Sequence, residues 1–196
     1  MILDLNSTLI YVMNKAKDKN VCTKEFVKDI HAMTTSHQLT DAAKGLVRKD
    51  AVEITGSEYR PLESPVQLNA EFDYLIDVLN GIEDPFEQAV YVHCNLAYLK
   101  YFADGNKRTS RLMQTAVLIH NDIVPLFMNV DEISNYLKAA INYYEIGDRR
   151  SYAELFIRSY RHTIDSLLGR APEQLQTIEE DEERLQEAWR KRREQR

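Results

Sequence analysis

Glycine and proline are scarce, six and five among 196 residues, and a shortage of both turn formers favours helices over a sheet-rich fold. Cysteine is rarer still. Cys22 and Cys94 lie far apart and make no ligand spacing with the five histidines, which argues against a structural zinc site and for a reduced, cytoplasmic setting. No apolar stretch approaches the ~20 residues of a membrane span. The start, Met1-Ile2-Leu3-Asp4-Leu5-Asn6, has neither the basic opening nor the apolar run of a secretory signal. Positive charge is in deficit, and a net charge of −6 argues against a non-specific nucleic-acid partner. What is present is ordinary for a soluble globular chain: 44% hydrophobic and 29% charged residues, enough for one domain with a real core and an appended element.

Helical periodicity recurs along most of the chain. Leu9, Ile10, Met13 and Ala16 form a first stripe. Thr23 is a good N-cap for a second helix with Phe26, Val27, Ile30 and Met33 on its apolar face. Ser64-Pro65 and Asp84-Pro85 each place a capping side chain before a proline at the first helical position. The first pair opens a helix through Leu68, Phe72, Leu75, Ile76 and Leu79, stopped at Asn80-Gly81. The second opens one through Ala89, Val90, His93, Leu96 and Ala97 toward Lys100. Leu112, Met113, Ala116, Val117 and Ile119 mark a fifth. Asp131 can cap a sixth carrying Ile133, Leu137, Ile141 and Tyr144 up to Gly147. Tyr152, Leu155, Phe156, Ser159 and Ile164 mark a seventh, ending at Gly169.

One segment breaks the pattern. Residues 51–61 alternate, are rich in β-branched residues and hold Gly56-Ser57, so they read as a lone β-hairpin. Two strands alone are marginally stable, so this hairpin must pack on the helices. The fold class expected is therefore all-α, a helical bundle with one β-hairpin. Beyond Pro172 the composition shifts: an acidic run, Glu179 to Glu183, precedes a basic one, Arg190 to Arg193, with Leu175, Ile178, Leu185 and Trp189 as sparse apolar positions. Residues 171–196 read as a solvated charged helix or tail, with a docking helix as the alternative.

Chemistry concentrates between residues 100 and 111. A short loop ending in Gly105-Asn106 leads directly into a helix, whose first turn offers unpaired N–H groups and the positive end of the dipole to an anion. Lys107, Arg108 and Arg111 add three cations within one and a half turns. Arg108 and Arg111 share a face. Cations at the positive end of a dipole are costly unless an anion binds there. Asp104 is a hard oxygen ligand placed for a magnesium ion that bridges phosphates.

The stretch Phe102-Ala103-Asp104-Gly105-Asn106-Lys107-Arg108-Thr109-Ser110-Arg111 resembles the Fic-family motif, His-x-Phe-x-Asp/Glu-Gly-Asn-Gly/Lys-Arg-x-x-Arg. Gly45-Leu46-Val47-Arg48 and residues 52–61 resemble the approach to the Fic flap, and Tyr143 to Asp148 resemble the end of the Fic core. The resemblance covers roughly Asn6 to Leu168. It implies a Fic domain over residues 1–170, with a flap at about 51–62. It implies ATP and Mg2+ as ligands, with Asp104 on the metal, and Gly105 and Asn106 lining the α/β-phosphate pocket. Phe102 would anchor the loop, while Lys107, Arg108 and Arg111 neutralise phosphate charge. A target protein would bind along the flap at Gly56, Ser57, Glu58 and Tyr59 by strand addition. Fic enzymes most often move AMP from ATP to a hydroxyl side chain, whereas Doc-like members move the γ-phosphate. Lys107 is compatible with both. Family members often pair through core helices, so a homodimer is in keeping with the resemblance.

Two departures stand out. The motif histidine, the general base that takes the proton from the attacking hydroxyl, is Lys100 here, followed by Tyr101. Imidazole near pKa ~6.5 can act as a base at neutral pH, whereas lysine near ~10.4 is almost wholly protonated. Lys100 is thus the candidate catalytic position, yet its natural role is a further phosphate ligand. His93, two turns back, reads as a core histidine, and His31 and His120 have no partner motif. The second departure concerns control. No Ser/Thr-x-x-x-Glu-Gly/Asn inhibitory motif occurs, and the nearest, Thr177 with Asp181, is followed by Glu182. Either an antitoxin-like partner restrains Arg108, or restraint became unnecessary once the base was lost. Active transfer, a catalytically inactive nucleotide- or partner-binding module and Doc-like phosphotransfer all remain open.

Overall fold

The computed structural model describes residues 2–18 and 20–169, so the tail at 171–196 lies outside the described residues. Seven helices occur among them: α1 Ile2–Lys15, α2 Lys24–Thr34, α3 Pro65–Gly81, α4 Pro85–Leu99, α5 Asn106–His120, α6 Ile133–Ile146 and α7 Arg150–Leu167. The expected caps form. Thr23, Ser64 and Asp84 each accept the amide three residues on, and the two prolines sit in the first turn of α3 and α4.

Helices α4 and α5 are the most buried. α4 hides Ala89, Val90, Val92, His93, Cys94, Leu96, Ala97 and Leu99, while α5 hides nearly every side chain from Thr109 to Ile119. The other helices surround this pair, and one continuous apolar core runs from Val12 to Phe156. Because the Lys100–Gly105 loop joins the two central helices, the core fixes both of its ends.

Two apolar faces differ from expectation. In α1 the buried positions are Asp4, Thr8 and Val12, with Ile10 and Met13 turned outward at 52% and 58% exposure. In α6 the buried set is Tyr136, Ala139, Ala140 and Tyr144, while Ile133 and Leu137 face solvent. The start of α6 differs as well. Asn129 and Glu132 form a reciprocal capping box around a short 3-10 turn at Val130–Glu132, and Glu132, not Asp131, is the N-terminal cap of α6.

The hairpin expected at 51–61 is not a hairpin. The segment is extended and reverses at a turn where the Ser57 amide donates to the Ile54 carbonyl (3.1 Å), but no strand pairing occurs. Its two ends are held by Arg48 instead of a ladder. The buried guanidinium donates to the Asp50 carbonyl (2.8 Å) and the Leu62 carbonyl, one at each root. The segment packs on helices, as a marginal pair of strands requires: Ile54 is buried beside Ala97, Ala140 and Tyr144, and Tyr59 stacks on Tyr98 at 4.3 Å. Ser57 Oγ and the Glu58 amide both donate to Glu145 of α6.

Candidate functional site

Lys100 ends α4 in the left-handed conformation, φ 50° and ψ 43°. A non-glycine residue there carries roughly 1–2 kcal/mol of strain. The geometry is held from outside: the Lys100 carbonyl accepts Arg48 Nε (2.6 Å), and the Tyr101 carbonyl accepts the Arg48 amide (3.0 Å). The root of the flap segment and the end of α4 therefore share one arginine. Lys100 Nζ lies 5.4 Å from the centre of the Tyr144 ring. Burial, then repulsion from Lys107, pushes its pKa down to about 8, with Asp104 opposing the shift.

The loop closes on itself. Asn106 Oδ1 accepts the Phe102 amide (3.0 Å) and its Nδ2 donates to the Phe102 carbonyl (2.8 Å). Both polar ends of the buried Asn106 side chain thus staple the loop. Gly105 follows at φ 75° as the N-terminal cap of α5. A Cβ added there would stand 2.7 Å from Thr35 Cγ2, so Gly105 answers to close packing of α2 as well as to backbone conformation.

His31 is the residue that sequence reasoning passed over. It is fully buried on α2, and its ring stacks on Phe102 at 3.7 Å and 7°. Nδ1 accepts the Gly45 amide (2.9 Å), so Nε2 carries the ring proton and donates to the Asp104 carbonyl (3.0 Å). Burial drives its pKa down to about 4, which keeps it in this neutral tautomer. His31 and Arg48 together tie the segment leading to the flap to the phosphate-type loop. His93, in contrast, is buried in the core, stacked on Tyr152 at 4.4 Å, its pKa pushed down by burial to about 3. It stands apart from the cavity.

A cavity of about 210 Å³ is lined by Val52 and Glu53 from the flap segment, by Lys100, and by Ala103 to Arg108. It brings together Lys100, Asp104, Gly105, Asn106, Lys107 and Arg108. Arg111 is not among its walls. One turn further on, its guanidinium lies over the Tyr136 ring at 5.8 Å, in an apolar groove shared with Ile2, Leu5 and Leu9 of α1. The Arg108 side chain is only 14% exposed. Its Nη2 donates to Asp104 Oδ2 (3.2 Å), and its Nη1 is buried with no partner. A buried donor left unsatisfied is costly, and an anion that reached it would satisfy it. Lys107 has its pKa lowered by burial first and by Arg111 second.

Among the described residues no three His, Cys, Asp or Glu side chains gather into a metal site. Asp104 alone fits magnesium in the manner of a phosphate-borne ion, with one carboxylate and the rest of the shell from phosphate and water. Its side chain is 65% exposed, and its oxygens are used by the Gly105 amide (2.6 Å) and Arg108. An ion there would replace the Arg108 contact.

The model of the Fic/DOC family matches residues 21–118. The chain is 28% identical over 170 residues to the protein adenylyltransferase Fic of Nematostella vectensis, covering 86% of this chain and 39% of that protein. It is 27% identical over 103 residues to protein adenylyltransferase fic-1 of Caenorhabditis elegans, covering 53% and 20%. It thus spans well under half the length of these relatives. Among solved structures, residues 134–508 of Fic-1 from C. elegans superpose with a TM-score of 0.72 at 18% identity, over 85% of this chain and 49% of that one. BepC from Bartonella tribocorum, solved with bound AMPPNP, gives 0.62 at 18% identity over 78% and 80%. At such identity these likenesses are of fold. With the family model spanning half the chain, this chain belongs to the Fic/DOC family.

Proposed function

We propose that this protein is a Fic-type nucleotidyltransferase scaffold that binds ATP with Mg2+ and transfers AMP to a hydroxyl of a target protein only weakly, because Lys100 replaces the general base. The observation that carries the reading is the buried, unpartnered Nη1 of Arg108 beside Lys107 at the open start of α5. Phosphates in that cavity would accept from Arg108, from Lys107 and from the first-turn amides. Magnesium would rest on Asp104 and the phosphates, supplying charge neutralisation at the leaving group. Arg111 would act at longer range, through its field.

A target segment would lie along the flap near Gly56, Ser57, Glu58 and Tyr59. No strand is formed there beforehand, so its backbone groups would pair on docking. The hydroxyl would arrive between flap and loop, where Lys100 stands. A lysine titrating near 8 offers a small neutral fraction at pH 7, and bound phosphates would reduce that fraction further. Positioning and charge would still favour transfer, without a group to take the hydroxyl proton.

The test is a calorimetric titration of ATP with Mg2+ into the protein and into Arg108→Ala. The reading expects binding by the protein and at least a tenfold loss in the variant, in keeping with about 1.5–3 kcal/mol for a charged hydrogen bond. No binding, or equal binding by both, would overturn it.

A further inference from the structure

We infer that Lys100 is itself an acceptor of AMP: its amine attacks the α-phosphate of bound ATP and leaves the chain carrying a lysyl adenylate. The inference rests on the nucleotide-site reading above and goes beyond it in naming a covalent product and its position.

The geometry points to this in three ways. First, Lys100 lines the cavity together with Val52 and Glu53 of the flap segment and with Asn106, Lys107 and Arg108 of α5. The cation-rich helix start is where a leaving pyrophosphate would be held. Second, the amine is not free to swing into solvent. Lys100 is half-buried, its backbone is pinned in the left-handed region by Arg48, and its side chain lies over Tyr144. Third, an amine does not need the group this site lacks. A hydroxyl must lose its proton to a base as it attacks, whereas a neutral amine attacks with its own lone pair and sheds a proton afterwards.

Two amines line the cavity, and they differ in place. Lys107 stands in the first turn of α5 beside Arg108, among the cations that would flank the phosphates. Lys100 stands on another element, at the end of α4. The charged and titratable groups around Lys100 are Arg48, bonded to its carbonyl, Glu53 of the flap segment, Asp104 of the loop, Lys107 and Arg108 of α5, and the Tyr144 ring of α6. Burial and Lys107 lower its pKa to about 8, so a neutral fraction exists that a surface lysine near about 10.4 lacks.

The step balances as follows. Neutral Lys100 Nζ donates its lone pair to the α-phosphorus, and an Nζ–P bond forms. The bond from that phosphorus to the oxygen bridging to the β-phosphate breaks. Pyrophosphate leaves, and one proton passes from Nζ to water. No oxidant or further reactant is required, and each chain reacts once.

The experiment is intact-mass analysis of the full chain after incubation with ATP and Mg2+ at pH 7 and pH 9, with parallel samples labelled at the α- or γ-phosphate. Calorimetric ATP binding is measured on the same preparation. The expected result is one added adenylyl group per chain at most, carrying the α-label only. It should form faster at pH 9, map to the peptide containing Lys100, and be lost in mild acid but kept in base, as for a phosphoramidate. Lys100→Arg should show none at that peptide. An acid-stable adduct on a hydroxyl, an adduct on Lys107, or a γ-labelled adduct would overturn the proposal. ATP binding without any adduct would overturn it and leave the nucleotide site standing. Absence of binding would overturn both.

Discussion

At the residue scale, the site is held by side chains that bond to backbone rather than to each other. His31 binds the Gly45 amide and the Asp104 carbonyl, and Arg48 binds the carbonyls of Lys100, Asp50 and Leu62. Such partners leave no trace in residue identity, and those of His31 lie 14 and 73 positions away. A lone histidine on a helical pattern therefore told nothing, although the cations and glycine of the loop were plain from their spacing. Asn106 was legible as part of the motif, yet its side chain spends both polar groups on Phe102. Replacing His31 by Phe keeps a ring against Phe102 and strips both hydrogen bonds. The buried Gly45 amide and the half-buried Asp104 carbonyl then go unpaired, at up to about 1–3 kcal/mol each. His31→Phe is expected to stay helical by circular dichroism, to lose about 2–5 kcal/mol in urea unfolding, and to bind ATP more weakly. Unchanged stability and unchanged binding would remove His31 from the account.

At the scale of elements, helix existence was readable and helix phase less so. Ser64-Pro65 and Asp84-Pro85 signal their own starts, because a capping oxygen and a residue without an amide both suit the first turn. The faces of α1 and α6 were misjudged for a physical reason. α1 buries Asp4 and Thr8, with Thr8 returning its hydroxyl to the Asp4 carbonyl and Ser36 donating to the Asp4 carboxylate, so a hydropathy stripe points the wrong way. α6 turns Tyr136 inward under Arg111. The turn at Gly56 is legible in the sequence and the missing ladder is not, because Arg48 and Glu145 hold the segment in its place. Glu145→Ala removes the acceptor for Ser57 and for the Glu58 amide. Both bonds are exposed, so unfolding stability should change by less than about 1 kcal/mol. The Glu58 amide should exchange faster with deuterium, and a glutamate-specific protease should cut sooner after Glu58. Unaltered exchange at Glu58 would mean that Glu145 does not hold the flap.

At the scale of the whole molecule, the scarcity of glycine and proline foretold the all-helical body, and the Phe102–Arg111 loop foretold the family. The packing that makes α4 and α5 central, and so fixes both ends of that loop, depends on contacts between distant segments that periodicity does not report. The same burial makes stability depend on pH. His31 and His93 have pKa values pushed down to about 4 and about 3, against about 6.5 in an unfolded chain. Below pH 6.5 the unfolded chain takes up protons that the folded chain refuses, so stability is full above that point and falls as pH drops toward 4. Each histidine contributes up to about 1.4 kcal/mol per pH unit. Urea midpoints should rise only slightly between pH 7 and 8, where Lys100 begins to lose its proton in the fold, and fall by the equivalent of about 2 kcal/mol between pH 6 and 5. A flat profile down to pH 5 would mean that these histidines are not held neutral.

The central claim is that the phosphate site is sound and the group expected to use it is missing. The direct test is transfer of α-labelled AMP from ATP with Mg2+ to acid-stable hydroxyl positions on proteins of a cell lysate, by the protein as it stands and by Lys100→His. The account predicts little transfer from the first and at least a hundredfold more from the second, in line with about 10²–10⁴-fold for a positioned general base. Equal transfer by both would show that Lys100 already serves as the base, and no transfer from the histidine variant would show that more than one group is missing.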